Sequence, residues 1–164
     1  MNWAELFSSL PPHWATFWLA VLPVTELRVS LPLALTYWHL SWWTSYIFAV
    51  IGNLLPILIV FIFLPPLIRF AKTHSVWLAK TFDRYFAYLE HKHKNKYDRY
   101  GAFFLALFVA IPLPITGAWT GAILAVLFNI KKQYSIPALI VGVMVMGALV
   151  LVLTLGVKNV IRLL

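Results

Sequence analysis

Pro23-Val24-Thr25-Glu26-Leu27-Arg28-Val29-Ser30-Leu31-Pro32 holds the only two charged residues between Glu5 and Arg69, set two positions apart in a run otherwise fit for lipid. A carboxylate and a guanidinium at such depth each cost about 2.5 to 3.5 kcal/mol on insertion scales. That cost points to Glu26 and Arg28 as a working centre rather than bystanders. The flanking prolines decide how the run folds. An interior proline removes a backbone donor and breaks a helix, so the apolar block from about Trp14 to Trp38 is not expected to be one straight span.

Composition agrees with a bilayer setting. With 62% hydrophobic, 16% aromatic and 11% charged residues over 164 positions, the chain cannot fold around one aqueous core. Its eight Trp and seven Tyr gather toward the ends of the apolar blocks, as at Trp14, Trp18, Trp38, Trp42, Trp43 and Tyr134, where headgroup-level side chains belong. The opening residues carry no basic group and no small-residue cleavage site, so the first block is expected to stay in place. Zero cysteines exclude disulfides and thiolate chemistry. The net charge of +8 is concentrated in one segment between membrane blocks, which favours anionic lipid over nucleic acid as partner.

Block two runs from about Trp42 to Leu64. Pro65-Pro66 then opens a polar stretch, 65–100, in which Ile68, Ala71, Leu78, Phe82, Tyr85 and Leu89 form one helical stripe while Arg69, Lys72, Lys80 and Arg84 lie off it. This predicts an amphipathic helix on the membrane surface, ending in a solvated loop, His91-Lys92-His93-Lys94-Asn95-Lys96. Blocks three and four cover about 102–128 and 135–156. Block three is broken by Ile111-Pro112-Leu113-Pro114-Ile115-Thr116-Gly117, which removes two donors and supplies a flexible glycine. Arms of half a block measure roughly 13 to 18 Å, about half of a ~30 Å hydrocarbon core. Half-length arms predict re-entrant hairpins at 14–38 and 102–128. Broken backbone survives at that depth only against protein or a water-filled cavity, so the turns should line a site.

The two halves read as one unit used twice, 14–64 and 101–156, each a broken block followed by a full span. An offset of 89 places Pro23 on Pro112, Leu22 on Ile111, Leu35 on Leu124 and Pro32 on Gly121. One span between the hairpins makes the second unit inverted, a common way of building a midplane site. The expected fold is therefore an all-α integral membrane protein of two inverted repeats joined by the amphipathic segment. In that arrangement residues 65–101 and 129–134 share a basic, cytoplasmic face with both termini outside. A plain four-span arrangement also satisfies the charge rule.

Glu26 and Arg28 on an extended turn point to the same side. They could be a structural pair. Alternatively Glu26 takes up and releases a proton, while Arg28 binds an anionic headgroup or holds Glu26 in place. Pro32 suits the start of the outgoing arm, and Thr116 with Gly117 suits the start of the second, Thr116 as cap. Two helix N-termini would then face the site with free N–H groups. Asn53, beside Gly52 and a turn before Pro56, needs a protein partner in lipid: the broken backbone of a hairpin, or else substrate or a coupling ion. Gly142, Gly147 and Ala148 point to close helix packing. His91 and His93 have no further ligand in view, so no metal or cofactor is expected. No nucleophile with a base, carboxylate pair or phosphate-cradling loop appears, and enzymatic activity is not expected.

The segments Pro23 to Pro32, Gly52-Asn53 and Ala110-Ile111-Pro112-Leu113-Pro114-Ile115-Thr116-Gly117-Ala118-Trp119-Thr120-Gly121 together resemble the small multidrug export family of prokaryotic membrane proteins. More distantly, the layout resembles the DedA (VTT) superfamily, whose members are associated with two opposed re-entrant hairpins and with moving lipids or lipid carriers. This chain departs from the DedA pattern in having no charged residue in the second hairpin. The first resemblance implies drug efflux from a prokaryotic cytoplasmic membrane, the second a lipid substrate. The residues lead to a carrier, homodimeric, of an amphiphilic substrate, with Glu26, Arg28, Pro32, Asn53, Pro112, Pro114, Thr116 and Gly117 at its site. An anionic lipid or lipid carrier is the leading cargo and a lipophilic cation its rival. A membrane-shaping scaffold without transport is the reading from another class.

Overall fold

The computed structural model of the protein describes residues 7, 10–74, 94–113 and 116–163. Six helices, and no strand among the described residues, make up the fold: α1 (Pro12–Val21), α2 (Glu26–Thr36), α3 (Trp42–His74), α4 (Lys94–Ala110), α5 (Ala118–Leu127) and α6 (Lys132–Leu163). Two of them are long and apolar enough to cross a membrane, over Trp42–Phe70 and Lys132–Val157.

Local chemistry sets the breaks. α1 starts with Pro12 in its first turn, where a missing donor costs nothing. It stops at Leu22, whose extended backbone is what a residue preceding proline adopts. α3 is capped by Ser41, whose hydroxyl accepts the Thr44 N–H at 3.2 Å. α5 ends in a Schellman motif: Asn129 takes a left-handed φ of 50°, its N–H bonds Val126 O at 3.1 Å, and Ile130 N–H bonds Ala125 O at 3.0 Å. α2 ends similarly, with His39 at φ 51° and Leu40 N–H on Ala34 O at 2.9 Å.

α1 packs on α2 and α3, and α4 packs on α5 and α6; α2 and α5 each pack on both long helices, which also pack on each other. The core lies around α2 and α5. Leu27, Leu31 and Leu35 give α2 a buried stripe at four-residue spacing, and Ala118, Ala122 and Ala125 keep α5 thin on its buried side. Small residues bring helices close where lipid offers no hydrophobic drive. A Cβ at Gly52 would collide with Phe17 O and lie 3.0 Å from Ala20 Cβ. One at Gly142 would lie 2.8 Å from Ala106 O and 3.0 Å from Val109 Cβ. One at Gly147 would meet Tyr46, Val50 and Leu27. The packing role expected of Gly142 and Gly147 is therefore what they have. Outward, Ile62, Phe63, Phe103, Phe104, Val152 and Leu153 stay exposed, an apolar exterior suited to lipid.

The element ends differ from expectation. α3 does not stop at Leu64 but continues through Pro65-Pro66 to His74, because proline removes a donor while holding φ at a helix-compatible value. Of the expected surface helix 65–100, residues 65–74 continue α3 and residues 94–100 open α4. The expected loop at Lys94-Asn95-Lys96 is likewise helical. Most of the amphipathic stripe, with His91 and His93, lies outside the described residues. α6 extends beyond 135–156 at both ends.

Candidate functional site

The turn between α1 and α2 is built by its own side chains and backbone. Glu26 N–H bonds Leu22 O at 3.0 Å, and the Thr25 hydroxyl donates to Leu19 O at 2.5 Å, occupying a carbonyl at the end of α1. Glu26 then opens α2 with a left-handed φ of 47°, a conformation that costs a residue with a side chain about 1–3 kcal/mol. That strain falls on the one acidic residue of the apolar region.

The second turn uses a different device. The Thr116 hydroxyl lies 2.8 Å from the carbonyl oxygens of Ile111 and Leu113 and accepts the Leu113 N–H at 3.2 Å. It therefore stitches the proline turn instead of capping α5, correcting the expected role, because the Ile111 and Leu113 carbonyls lie within its reach. Gly117 is the N-cap, in extended backbone and without a side-chain cap bond.

The turns meet. Arg28 Nη2 donates to Glu26 Oε2 at 2.8 Å, with the Glu26 side chain 5% and the Arg28 side chain 19% exposed. Both carboxylate oxygens of Glu26 press against Gly117, where an added Cβ would collide with them. A carboxylate thus sits at the start of α5, where the partial positive charge of first-turn N–H groups favours an anion. Nearby, Trp119 Nε1 donates to Val21 O at 2.9 Å, tying the start of α5 to the end of α1.

A cavity of about 660 Å³ opens between the turns, lined by Pro23, Val24, Thr25, Glu26, Arg28, Val29, Pro112, Trp119, Thr120 and Ile123. Its walls are apolar except at Glu26, Arg28 and the two threonines, a lining that can hold a hydrocarbon chain with one charged end. A smaller cleft of about 290 Å³ beside Tyr100, Phe104 and Phe128 has no charged wall.

The expected site residues thus separate. Glu26, Arg28 and Pro112 line the cavity, and Gly117 abuts it through Glu26. Pro32 does not start the outgoing arm: α2 begins at Glu26 and Pro32 lies inside it, because the turn is closed earlier by the bond to Leu22 O. Asn53 is fully buried on α3, but neither of its side-chain polar atoms has a hydrogen-bond partner, so the expected bond to hairpin backbone is not made. Pro114 lies outside the described residues. Thr25, Trp119 and Thr120 are polar members of the lining that sequence reasoning missed; a tryptophan placed away from a block end was the available signal for Trp119. Among the described residues no three His, Asp or Glu side chains cluster as metal ligands would.

Residues 26–149 match the family described as "Putative small multi-drug export protein". That match begins at Glu26 and takes in Arg28, Asn53 and Gly117. No curated protein and no solved structure matches the chain.

Proposed function

The chain belongs to the small multi-drug export protein family, and we propose that it is a carrier that moves an amphiphilic anion, a lipid or lipid carrier, between bilayer leaflets, with Glu26 taking up and releasing the coupling proton. One observation carries this reading: the Glu26 carboxylate rests between Arg28 and the uncapped start of α5. Those two groups are what an anionic headgroup would seek. Carboxylate and headgroup therefore compete for one place. A proton on Glu26 cancels its charge and releases Arg28 to the headgroup, while the apolar cavity walls take the chain. Loss of the proton restores the internal pair and expels the anion.

The architecture proposed for this carrier is the pair of inverted repeats, α1–α3 and α4–α6, each a re-entrant hairpin followed by a span, in a prokaryotic cytoplasmic membrane with the basic segments cytoplasmic. At ten or eleven residues, α1, α2 and α5 are each about 15 Å long, half of a ~30 Å core. The main helix packings are unchanged when α1, α2 and α3 are exchanged with α4, α5 and α6. Gly52 meets Phe17 and Ala20 as Gly142 meets Ala106 and Val109. Ser45 donates to Ser41 O as Ser135 donates to Lys131 O, and His39 and Asn129 share the left-handed position before each long helix.

Lipophilic-cation export is the second reading, favoured by the family description and the apolar cavity. Reconstituted vesicles with a proton gradient separate the two. Flipping of acyl-labelled fluorescent phosphatidic acid, lost in Glu26→Gln, supports the anion; gradient-driven ethidium movement without lipid flipping supports the cation. Neither movement, from a folded protein, would exclude both.

A further inference from the structure

Three buried polar atoms have no hydrogen-bond partner: Ser30 Oγ on α2, and Asn53 Oδ1 and Nδ2 on α3, two helices that pack on each other. A buried polar atom left without a partner is destabilising, so each of the three needs a reason. Asn53 follows Gly52, which closes on Phe17 and Ala20, and so stands level with the last turns of α1. That is the depth of the Thr25–Glu26 turn, since Thr25 reaches Leu19 O. Ser30 lies about one turn after Glu26 along α2. Prolines add acceptors here: Pro56 cannot donate to the Gly52 carbonyl, nor Pro32 to the Arg28 carbonyl.

The second half of the molecule serves as an internal control. Gly142 meets α4 as Gly52 meets α1, which makes Val143 the counterpart of Asn53. Val143 is fully buried. Packing at this position is thus met by an apolar side chain, and it does not account for the amide.

We infer that Asn53 and Ser30 line a water-filled proton path that reaches Glu26 along the α2–α3 seam, apart from the substrate cavity. The inference rests on the carrier reading with Glu26 as the proton-carrying group. Water suits the set because the amide offers a donor and an acceptor and the hydroxyl both; a cation would leave Nδ2 unpaired. In the uptake step a hydronium in the path loses an O–H bond as a Glu26 carboxylate oxygen gains one, and bulk water supplies the proton. Release is the reverse. Arg28 is the charged group facing Glu26 from its own helix, and among the described residues it is the ion-pair partner of Glu26. From α3, Tyr46 spends its hydroxyl on Met144 O at 3.0 Å. His13 of α1, Arg69 and His74 of α3, and Lys132 and Tyr134 of α6 lie toward the far ends of their helices.

The test follows protonation directly. In the full chain in vesicles, infrared difference spectra after a pH jump report the carboxylic acid band of Glu26, which Glu26→Gln identifies by abolishing it. Asn53→Val, the residue the second half already uses, should fold normally and slow the rise of that band at least about tenfold. Ser30→Ala, the smaller change, should slow it independently. A wild-type rise in both variants and in their combination overturns the path while leaving Glu26 as carrier. A spectrum unchanged by Glu26→Gln overturns the carrier reading itself.

Discussion

The carboxylate of Glu26 fills the space into which any side chain at position 117 would project. The charge of the first hairpin turn is thereby seated on the N-cap of α5. Gly117→Ala should cost about 1–3 kcal/mol, the usual range for overpacking, and should displace the carboxylate. The same change in a Glu26→Ala background should cost far less, since the colliding group is gone. A double-mutant cycle of unfolding in detergent measures the difference, and equal costs in both backgrounds would remove Glu26 as the constraint on position 117.

Arg28 neutralises a carboxylate that is nearly buried. Arg28→Met should therefore destabilise by about 3–5 kcal/mol, the penalty of stranding a buried charge. Adding Glu26→Gln should recover most of that loss, because no charge is then left unpaired. Transport should stay abolished in the double variant. Recovery of stability and transport together would mean that the pair is only structural.

Gly52 and Gly142 place the first arms on the long helices. A Cβ at Gly52 meets backbone at Phe17, and one at Gly142 meets backbone at Ala106; neither obstacle can swing aside. Alanine at each should lower stability by about 1–3 kcal/mol. Gly156, with nothing within 4 Å, should accept alanine without loss. Thermal unfolding of the three variants checks this, and a tolerated Gly52→Ala would contradict the close approach.

The charged pair and the two breaks were legible because each violates what lipid demands: Glu26 and Arg28 carry charge where it is expensive, and Pro23 and Pro112 interrupt helices where orphan carbonyls are expensive. Helix ends were less legible. Pro65-Pro66 and Pro32 read as a stop and a start, yet proline's fixed φ lets a helix pass through once neighbouring turns hold it. The start of α2 depends on a left-handed Glu26, a strain that no local propensity announces. Thr116 read as a cap because threonine often is one; the hydroxyl is drawn instead to turn carbonyls, and a carboxylate from the other hairpin takes the place a cap would fill. Contacts of that kind, like Trp119 on Val21, join positions far apart in sequence and leave no periodic trace.

Trp119 joins the hairpins through a single bond to Val21 O. Trp119→Phe keeps an aromatic ring but removes the donor and part of the indole's bulk, so stability should fall by about 1–3 kcal/mol. The end of α1 should loosen more than the rest. Hydrogen exchange across residues 19–26 is the measurement, and protection equal to wild type there would show that the bond does not hold the turns together.

The re-entrant arrangement makes a topological demand that the absence of cysteine makes simple to check. If α4 and α5 turn back within the bilayer, positions 94 and 131, at the outer ends of that hairpin, lie on one face. Position 10, before α1, and position 40, after α2, lie together on the other. Single cysteines at these four positions should label in two pairs from opposite sides of oriented vesicles, with Lys94 and Lys131 reacting from the cytoplasmic side. Labelling of Lys94 and Lys131 from opposite faces would mean that α4 and α5 together cross the membrane. The two halves would then no longer be inverted as proposed, and Glu26 and Gly117 would meet inside an ordinary helical bundle rather than between two opposed hairpin tips.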